Sequence, residues 1–232
     1  MEIKTRSDMT VKLIDSMGSD SSVAMAARVS TGGNSADTDP SKDAGLINYL
    51  MRDRHGSPFE HNAFTFYVEA PIFVFREFMR HRIASYNEES GRYKQLEPVF
   101  YVPSKDRKMV QKGKPGAYTF ELGSERLQQD TPDHIAVVSH TAYAAYADLL
   151  TDGVAREVAR MVLPVNIYSS MYVTMNARSL MNFLSLRSEE QGTYPSFPQW
   201  EIAEVARQME ELFAEKMPIT YASFIKNGRV AP

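Results

Sequence analysis

The strongest constraint on the fold is an abrupt change of chemistry after residue 79. Residues 71–79 form one of the most apolar stretches in the chain, whereas the thirteen residues 80–92 are mostly charged or hydrogen-bonding. The first stretch has to be buried, and the second has little apolar surface to bury. The junction therefore predicts a buried element followed at once by a dense set of hydrogen-bond donors, where an anionic ligand can be bound.

Composition narrows the possible classes of protein. The chain has 232 residues, 43% of them hydrophobic, with a formal net charge of −3, which allows one sizeable core in one large domain or two intimate halves. The acidic pI near 6.0 argues against a nucleic-acid partner. No apolar run approaches 18 residues, and the N-terminus lacks a secretion signal. We therefore expect no membrane partner and a cytoplasmic location.

Cysteine is absent from the chain, and this limits the chemistry. Disulfides, thiolate nucleophiles, iron–sulfur clusters and cysteine-rich zinc sites are all excluded. The five histidines include two pairs six residues apart, His55 with His61 and His134 with His140, a spacing that does not align ligands on one helix face. We therefore predict no metal site, so the chemistry must come from oxygen and nitrogen groups or from a cofactor.

Strands and helices are mixed without regular alternation, which predicts an α+β fold with an antiparallel sheet and long helices. Strands are expected at 11–15, 64–68, 99–102 and 167–175. Helices are expected from a cap at Ser41 to before Gly56, from Pro71 to the Arg80–His81–Arg82 triplet, and at 131–150, 154–163, 176–187 and 200–217. Residues 31–40 are predicted to be a polar loop, and residues 105–130 a surface excursion.

Phosphate groups, if the chain binds them, must be bound by side chains. Neither the glycine-rich P-loop pattern nor G-x-G-x-x-G occurs in the sequence. Residues 76–94 carry five Lys or Arg against three Glu, a local surplus in an acidic chain. Such a cluster is either an anion site or an ordinary solvated helix end with ion pairs.

A specific pattern lies inside this cluster. Arg80-His81-Arg82 is followed after seven residues by Ser90, and S-x-N-E-x-S-x-R runs from Ser85 to Arg92. This pattern resembles the signature of the flavin-dependent thymidylate synthases. Residues 176–187, 156–164 and 55–61 are similar to three further blocks of that family, so the similarity extends from about residue 26 to residue 202. Taken alone, block 176–187 could equally be a capped helix with solvent-facing arginines.

The resemblance implies an enzyme that makes dTMP from dUMP, with 5,10-methylenetetrahydrofolate as carbon donor and NADPH as reductant through FAD. It implies one such domain over residues 1–232 and a homotetramer whose sites combine several subunits. His55 would lie near the flavin ring, where the folate must also stack. The implied FAD contacts are Ser57, Arg80, His81, Arg82, Glu88, Asn176, Arg178 and Asn182. The implied dUMP contacts are Glu77, Arg80, Glu88, Ser90, Gly91, Arg92, Arg160 and Arg187.

The residue chemistry agrees with this reading. Arg80, Arg92 and Ser90 suit a dianionic phosphate. Without cysteine, no thiolate can activate the uracil ring by adding to C6. A guanidinium at the N3/O4 edge can instead stabilise ionised uracil, a catalytic role suited to Arg187. Arginines nearby lower the basicity of Glu88, so we expect Ser90 to bind the nucleotide and not to attack it.

The chain departs from the family in the segment 188–198, which is longer than usual and has Tyr194 and Phe197 where a histidine near the flavin is usual.

Two alternative functions remain open. The chain could be a flavin-dependent methylase of another uracil, such as one in RNA, which the acidic pI disfavours. It could also be a non-catalytic nucleotide-binding oligomer, against which the intact Ser90, Arg92 and Arg187 argue.

Overall fold

The structure is a computed structural model that describes residues 2–32, 40–115 and 117–232. The chain divides into two compact units. Unit 1 comprises Met1–Met9, Glu69–Met79 and Glu88–Met171, and unit 2 comprises Thr10–Val68, Arg80–Asn87 and Tyr172–Pro232. Within the described ranges, no helix combines the length and the apolarity needed to cross a membrane.

Strands and helices are mixed along the chain. The strands are β1 (Lys4–Arg6), β2 (Thr10–Met17), β3 (Ala63–Pro71), β4 (Ser85–Glu88), β5 (Val99–Tyr101), β6 (Val110–Lys114), β7 (Ala117–Glu121) and β8 (Tyr168–Met175). The helices are α1 (Asp20–Arg28), α2 (Pro40–Arg52), α3 (Ile72–Phe78), α4 (Glu125–Thr151), α5 (Arg156–Ala159), α6 (Ala177–Arg187), α7 (Trp200–Lys216) and α8 (Pro218–Lys226).

The main sheet has four strands in the order β2-β3-β8-β4. The β3–β8 pair is antiparallel: the Thr65 and Thr174 hydroxyls are hydrogen-bonded at 2.9 Å, and two residues further along β3 the Tyr67 ring meets that of Tyr172 edge-on. Along β3 the side chains alternate between buried and half-buried positions, as a strand with one face on a core requires. The predicted mixture of an antiparallel sheet with long helices is therefore confirmed.

The core of unit 2 is built on α7. Its apolar positions recur at helical spacing, so that Ile202, Val205, Met209 and Phe213 are all fully buried. Phe213 meets the ring of Phe64 edge-on at 5.6 Å. In the same unit, the Asp20 carboxylate at the start of α1 accepts hydrogen bonds from the first backbone N–H groups of α8 and from the Thr220 hydroxyl, satisfying donors that a helix start leaves open.

The core of unit 1 is held by two tyrosines of α4. Tyr143 donates its hydroxyl to the carbonyl of Leu96 at 2.8 Å, and the Leu96 N–H donates to the Tyr146 hydroxyl. Phe100 and Ile167 are buried with them. Unit 1 also contains the parallel pair β1–β5 and the antiparallel hairpin β6–β7. This hairpin lies inside the stretch 105–130 that was expected to be a surface excursion.

Several sequence predictions need correction. The helix expected from residue 131 begins at Glu125, because Ser124 caps it and Pro132 is accommodated inside α4. The helix expected at 154–163 is the single turn α5 followed by the 3₁₀ turn Arg160–Val162. Helix α3 ends at Phe78, so the Arg80 triplet follows the helix and is not its last turn. Of the predicted loop 31–40, residues 33–39 lie outside the described residues, as does the side chain of Ser41.

Candidate active site

The largest cavity described in unit 2 has a volume of about 660 Å³ and is lined by four arginines, an asparagine and several apolar side chains. The turn 80–83, helix α6 and residues 231–232 supply most of its walls, and Glu60 and Met175 complete them. Six residues predicted from the sequence as ligand contacts are brought together here. They are Arg80, His81, Arg82, Arg178, Asn182 and Arg187.

Helix α6 presents one face to the cavity because of how it begins. The Asn176 side chain accepts a hydrogen bond from the backbone N–H of Ser179 at 2.9 Å, which confirms the predicted cap. Residues Ala177, Leu180, Met181 and Leu184 are buried on the inner face of the helix. Arg178 and Asn182, four positions apart, therefore lie together on the outer face.

Arg187, in the last turn of α6, is oriented by His81. Its Nε donates to Nε2 of His81 at 3.1 Å, and the His81 ring also packs edge-on against Phe183. Burial, together with the positive charge of Arg187, lowers the pKa of His81 to about 4. His81 is therefore neutral near pH 7 and serves as the acceptor, which fixes the plane of the catalytic candidate's guanidinium.

Arg178 is held from three sides. Its Nη1 donates to Glu60 at 2.5 Å and its Nε donates to the carbonyl of Pro232 at 2.6 Å. The guanidinium lies flat against Gly56, where a Cβ would come within 2.6 Å of its central carbon. A side chain at position 56 would therefore displace Arg178.

A hydrogen bond from Tyr86 stabilises the turn that carries Arg80 and Arg82. The Tyr86 hydroxyl donates to the carbonyl of His81 at 2.7 Å, and burial raises the pKa of Tyr86 to about 12. Tyr86 therefore keeps its proton as a donor over the physiological pH range. Arg80 and Arg82 are themselves exposed and point their charge at the cavity they line.

Charge makes this cavity suitable for a polyanion. Four guanidinium groups line it, Glu60 is the one acidic side chain among its described lining residues, and His81 is neutral. FAD carries a diphosphate, and arginines on helix ends and turns can hold such a group without a glycine loop. The donor set therefore fits FAD.

A smaller cavity of about 160 Å³ lies in unit 1 and contains three of the predicted dUMP contacts, Glu88, Gly91 and Arg160. Burial raises the pKa of Glu88, and the neighbouring Ser169 and the Arg160 cation only partly oppose this rise. The expectation that nearby arginines lower the basicity of Glu88 is therefore wrong, because the effect of burial is larger. Arg76 and Glu89 also line the cavity. Gly91 is buried, and a Cβ there would come within 3.3 Å of the Arg160 side chain.

The remaining predicted residues do not line either cavity. Arg92 donates to Glu157 at 2.9 Å on the surface, and the Ser90 hydroxyl accepts from the Arg92 backbone N–H at 3.2 Å. His55 is exposed and stacks on Tyr49 with ring centroids 5.6 Å apart. Ser57 is exposed at the start of a 3₁₀ turn, Glu77 is half-buried, and Asn176 is engaged as the helix cap. Their ligand roles stay predictions.

Sequence reasoning missed part of the larger cavity. Its additional lining residues are Glu60, Ile83, Met175, Ser179, Leu186, Ala231 and Pro232. Ser179 and Leu186 could have been found from helical spacing with Arg178 and Asn182. No local pattern signals Ala231 and Pro232. Tyr194 and Phe197 of the segment 188–198 are exposed and do not line the cavity.

Potential metal ligands are scattered through the described part of the chain, where no three His, Cys, Asp or Glu side chains come together.

The same part of the chain holds ion pairs near both cavities: Arg178 with Glu60 in unit 2, and Lys94 with Glu89 in unit 1. Both pairs are at least partly exposed to solvent. A ligand can therefore replace the carboxylate partner at modest cost.

Comparison with known proteins gives consistent results. Residues 12–219 match the family described as thymidylate synthase complementing protein. The flavin-dependent thymidylate synthase of Streptomyces avermitilis is 58% identical, covering 98% of this chain and 95% of that protein, and the one from Streptomyces coelicolor is 56% identical, covering 100% and 96%. A crystal structure of the UMP/dUMP methylase PolB from Streptomyces cacaoi, bound with 5-Br dUMP, superposes with a TM-score of 0.94 at 50% identity, covering 99% of this chain and 100% of that one.

Proposed function

The chain belongs to the family of thymidylate synthase complementing proteins, and we propose on this basis that it methylates dUMP reductively to dTMP. It is a flavin-dependent thymidylate synthase, an FAD-dependent methyltransferase that uses 5,10-methylenetetrahydrofolate as carbon donor and NADPH as reductant. One observation carries the assignment most directly. Arg80, Arg82, Arg178 and Arg187 line one cavity together with neutral His81, and they give it the cation surplus that a dinucleotide cofactor requires.

We assign FAD to the larger cavity. Arg80, Arg82 and Arg178 would hold its phosphates, and Asn182 would offer amide hydrogen bonds at the same helix face. The flavin held there would, once reduced by NADPH, supply the hydride that completes the methyl group. The protein's part is to hold the cofactor, to keep water from it and to position the nucleotide.

Arg187 takes the place of a cysteine nucleophile in activating uracil. Neutral His81 fixes the Nε edge of its guanidinium, so the group is positioned before the substrate arrives. A fixed positive charge next to N3 and O4 stabilises the negative charge that ionisation places on the ring. Electron density is thereby pushed to C5 without a covalent bond between enzyme and nucleotide.

We further propose that Glu77, Glu88, Ser90, Gly91, Arg92 and Arg160 contribute to dUMP binding, together with Arg80 and Arg187. The small cavity of unit 1 supports this proposal, because Glu88 and Arg160 line it together and a Cβ at Gly91 would come within 3.3 Å of the Arg160 side chain. The raised pKa of Glu88 brings its carboxyl closer to the protonated form, which can donate as well as accept a hydrogen bond.

A second substrate is worth testing because a similar solved protein is named a UMP/dUMP methylase and was crystallised with 5-Br UMP as well as 5-Br dUMP. We propose that this chain also accepts UMP. Competition between the two nucleotides in one reaction, with product analysis by mass spectrometry, separates a strict deoxynucleotide enzyme from one that takes both.

We also propose that residues 1–232 act as one catalytic domain within a homotetramer in the cytoplasm. Exposed apolar side chains at Val158, Met161, Val162 and Val165 of unit 1 support burial against another subunit. Light scattering of the purified protein tests the assembly. A fully active monomer would refute it.

The decisive experiment is the absorption spectrum of the purified protein, followed by dTMP formation with each co-substrate omitted in turn. We expect a flavin spectrum or tight uptake of added FAD, and product only when dUMP, methylenetetrahydrofolate and NADPH are all present. Arg82→Ala should lose the flavin. A colourless protein that ignores added FAD, or NADPH oxidation without dTMP, would contradict the assignment.

A further inference from the structure

Residues 230–232, here called the wall segment, are held against the larger cavity by arginines. Ala231 and Pro232 line the cavity. Arg54 donates from Nη1 to the carbonyl of Ala231 at 2.5 Å, and Arg178 donates from Nε to that of Pro232 at 2.6 Å. Pro232 is buried. The wall segment is therefore docked in place by side chains far from it in sequence.

Arg54 does this from a backbone conformation that is unfavourable for an arginine. Its φ angle is 64°, and it follows the end of α2, where the N–H of His55 donates back to the carbonyl of Leu50 at 2.9 Å. Glycine is the usual residue at such a left-handed helix end, because it has no Cβ to clash. Strain of this kind persists where a side chain has a role that glycine cannot fill.

Arg229 repeats the same feature on the other side of the wall segment. Its φ angle is 56°, and within residues 2–32, 40–115 and 117–232 it and Arg54 are the two non-glycine residues with positive φ. Its guanidinium forms a buried bidentate pair with Glu210, with distances of 2.6 and 2.8 Å. The backbone just before it is tied by a hydrogen bond from the Thr193 N–H to the Gly228 carbonyl.

Arg54 and Arg229, the two arginines with positive φ, therefore both hold the wall segment in position. Arg229 fixes where the segment starts, and Arg54 fixes its middle. We propose that the wall segment is a preformed part of the cofactor cavity and that Arg54 is a positioning residue for FAD, which acts through Ala231 and Pro232. This inference rests on the assignment of FAD to the larger cavity.

The physical effect is preorganisation. Alanine and proline lose almost no side-chain entropy on ordering, so a wall made of them adds apolar contact without a large cost when the ligand binds. The wall segment also sets the direction of Arg178, since the Nε of that arginine is engaged by the Pro232 carbonyl. Releasing the segment would therefore loosen both an apolar surface and a phosphate ligand.

Arg54→Gly tests the proposal, because glycine takes the left-handed conformation without strain and leaves the helix end intact. We expect the thermal midpoint of the apoprotein to be unchanged or raised, while the Kd for FAD, measured by flavin fluorescence, rises about tenfold, the equivalent of about 1.4 kcal/mol. Arg54→Lys retains a cationic donor and should recover part of the affinity. Arg207→Ala removes an exposed arginine of α7 that pairs with Glu204 and Glu211 and is the matched control, with unchanged affinity.

Hydrogen exchange gives an independent readout on the unaltered protein. The backbone N–H of Ala231 should become more protected when FAD binds, and Arg54→Gly should abolish that gain. Equal FAD affinity in wild type, Arg54→Gly and Arg207→Ala, or no change in exchange at Ala231, would overturn the inference while leaving the flavin assignment intact. A wild-type protein that binds no FAD would instead refute the flavin assignment, and the inference with it.

Discussion

The two cavities contain the same types of residue but differ in charge balance. The larger one, in unit 2, has four arginines against Glu60. The smaller one, in unit 1, has Arg76 and Arg160 against Glu88 and Glu89. A surplus of guanidinium groups attracts a polyanion, whereas a balanced set favours a ligand that needs donors and acceptors at once. The two cavities are therefore distinguished by their balance of charge and not by the presence of arginine alone.

The largest effect should come from Arg187, which we assign to stabilising ionised uracil. We expect Arg187→Ala to bind FAD but to form dTMP about 100-fold more slowly or worse, the usual loss for one removed electrostatic donor. Steady-state dTMP formation and bound-flavin content, measured together, check this. Arg187→Lys keeps the charge but loses the planar guanidinium. Its rate of dTMP formation should lie between those of the wild type and Arg187→Ala. Near-normal turnover in Arg187→Ala would move the role elsewhere, with Arg178 the next candidate.

Single substitutions in each cavity should separate the two ligands. Arg82→Ala should raise the Kd for FAD by about 10- to 100-fold, the range for one lost hydrogen bond to a charged group, with little effect on the KM for dUMP at saturating FAD. Arg160→Ala should raise the KM for dUMP, with little effect on the Kd for FAD. Flavin fluorescence titrations and dUMP saturation curves on both variants provide the test. If either variant weakened both ligands equally, the division between the cavities would be wrong.

A smaller effect is expected at Ser90, which we assign to nucleotide binding without covalent attack. Ser90→Ala should keep measurable turnover and raise the KM for dUMP by up to about tenfold, the worth of one neutral hydrogen bond. Incubation with 5-fluoro-dUMP and the folate should leave the intact mass of the protein unchanged. A stable nucleotide adduct at Ser90, together with an inactive alanine variant, would establish covalent catalysis through oxygen.

The smallest expected effect is on the pH dependence of stability, through His81. Its pKa is about 4 in the folded protein, against 6.5 without perturbation, so the unfolded chain binds more protons between these values. The contribution of His81 to stability is therefore complete above about pH 6.5 and is lost as the pH falls towards 4. Thermal midpoints of wild type and His81→Gln over this range should converge at low pH. An NMR titration showing His81 protonated near pH 6.5 would contradict the assignment.

The sequence predicted those parts of the site that depend on local chemistry. Asn176 as a helix cap and the shared face of Arg178 and Asn182 follow from residue type and spacing, and the structure has both. Pro132 misled the prediction of α4, because a proline usually marks the first turn of a helix, whereas here it lies inside one. Helix α8 was missed, although Pro218 at its first position was a usable signal.

Contacts between distant parts of the chain could not be predicted in the same way. The hydrogen bond from Arg54 to Ala231 joins residues 177 positions apart, and neither residue belongs to a recognisable motif. The hydrogen bond between His81 and Arg187 could not be predicted either. Each residue was identified separately as a site residue, but no local pattern in the sequence indicates that the two side chains are in contact. Long-range pairing is decided by packing, which composition and periodicity do not encode locally.

The carboxylate of Asp20 has a consequence for how the protein is made. It holds Thr220, 200 residues further along the chain, and unit 2 is assembled from three separate stretches, of which the third begins at Tyr172. On the ribosome, Asp20 is therefore synthesised 200 residues before the helix start that it caps, at a rate of about 5–20 residues per second. Contacts with such sequence separation form slowly, so the cap that Asp20 provides to α8 closes many seconds after α1 itself has been synthesised.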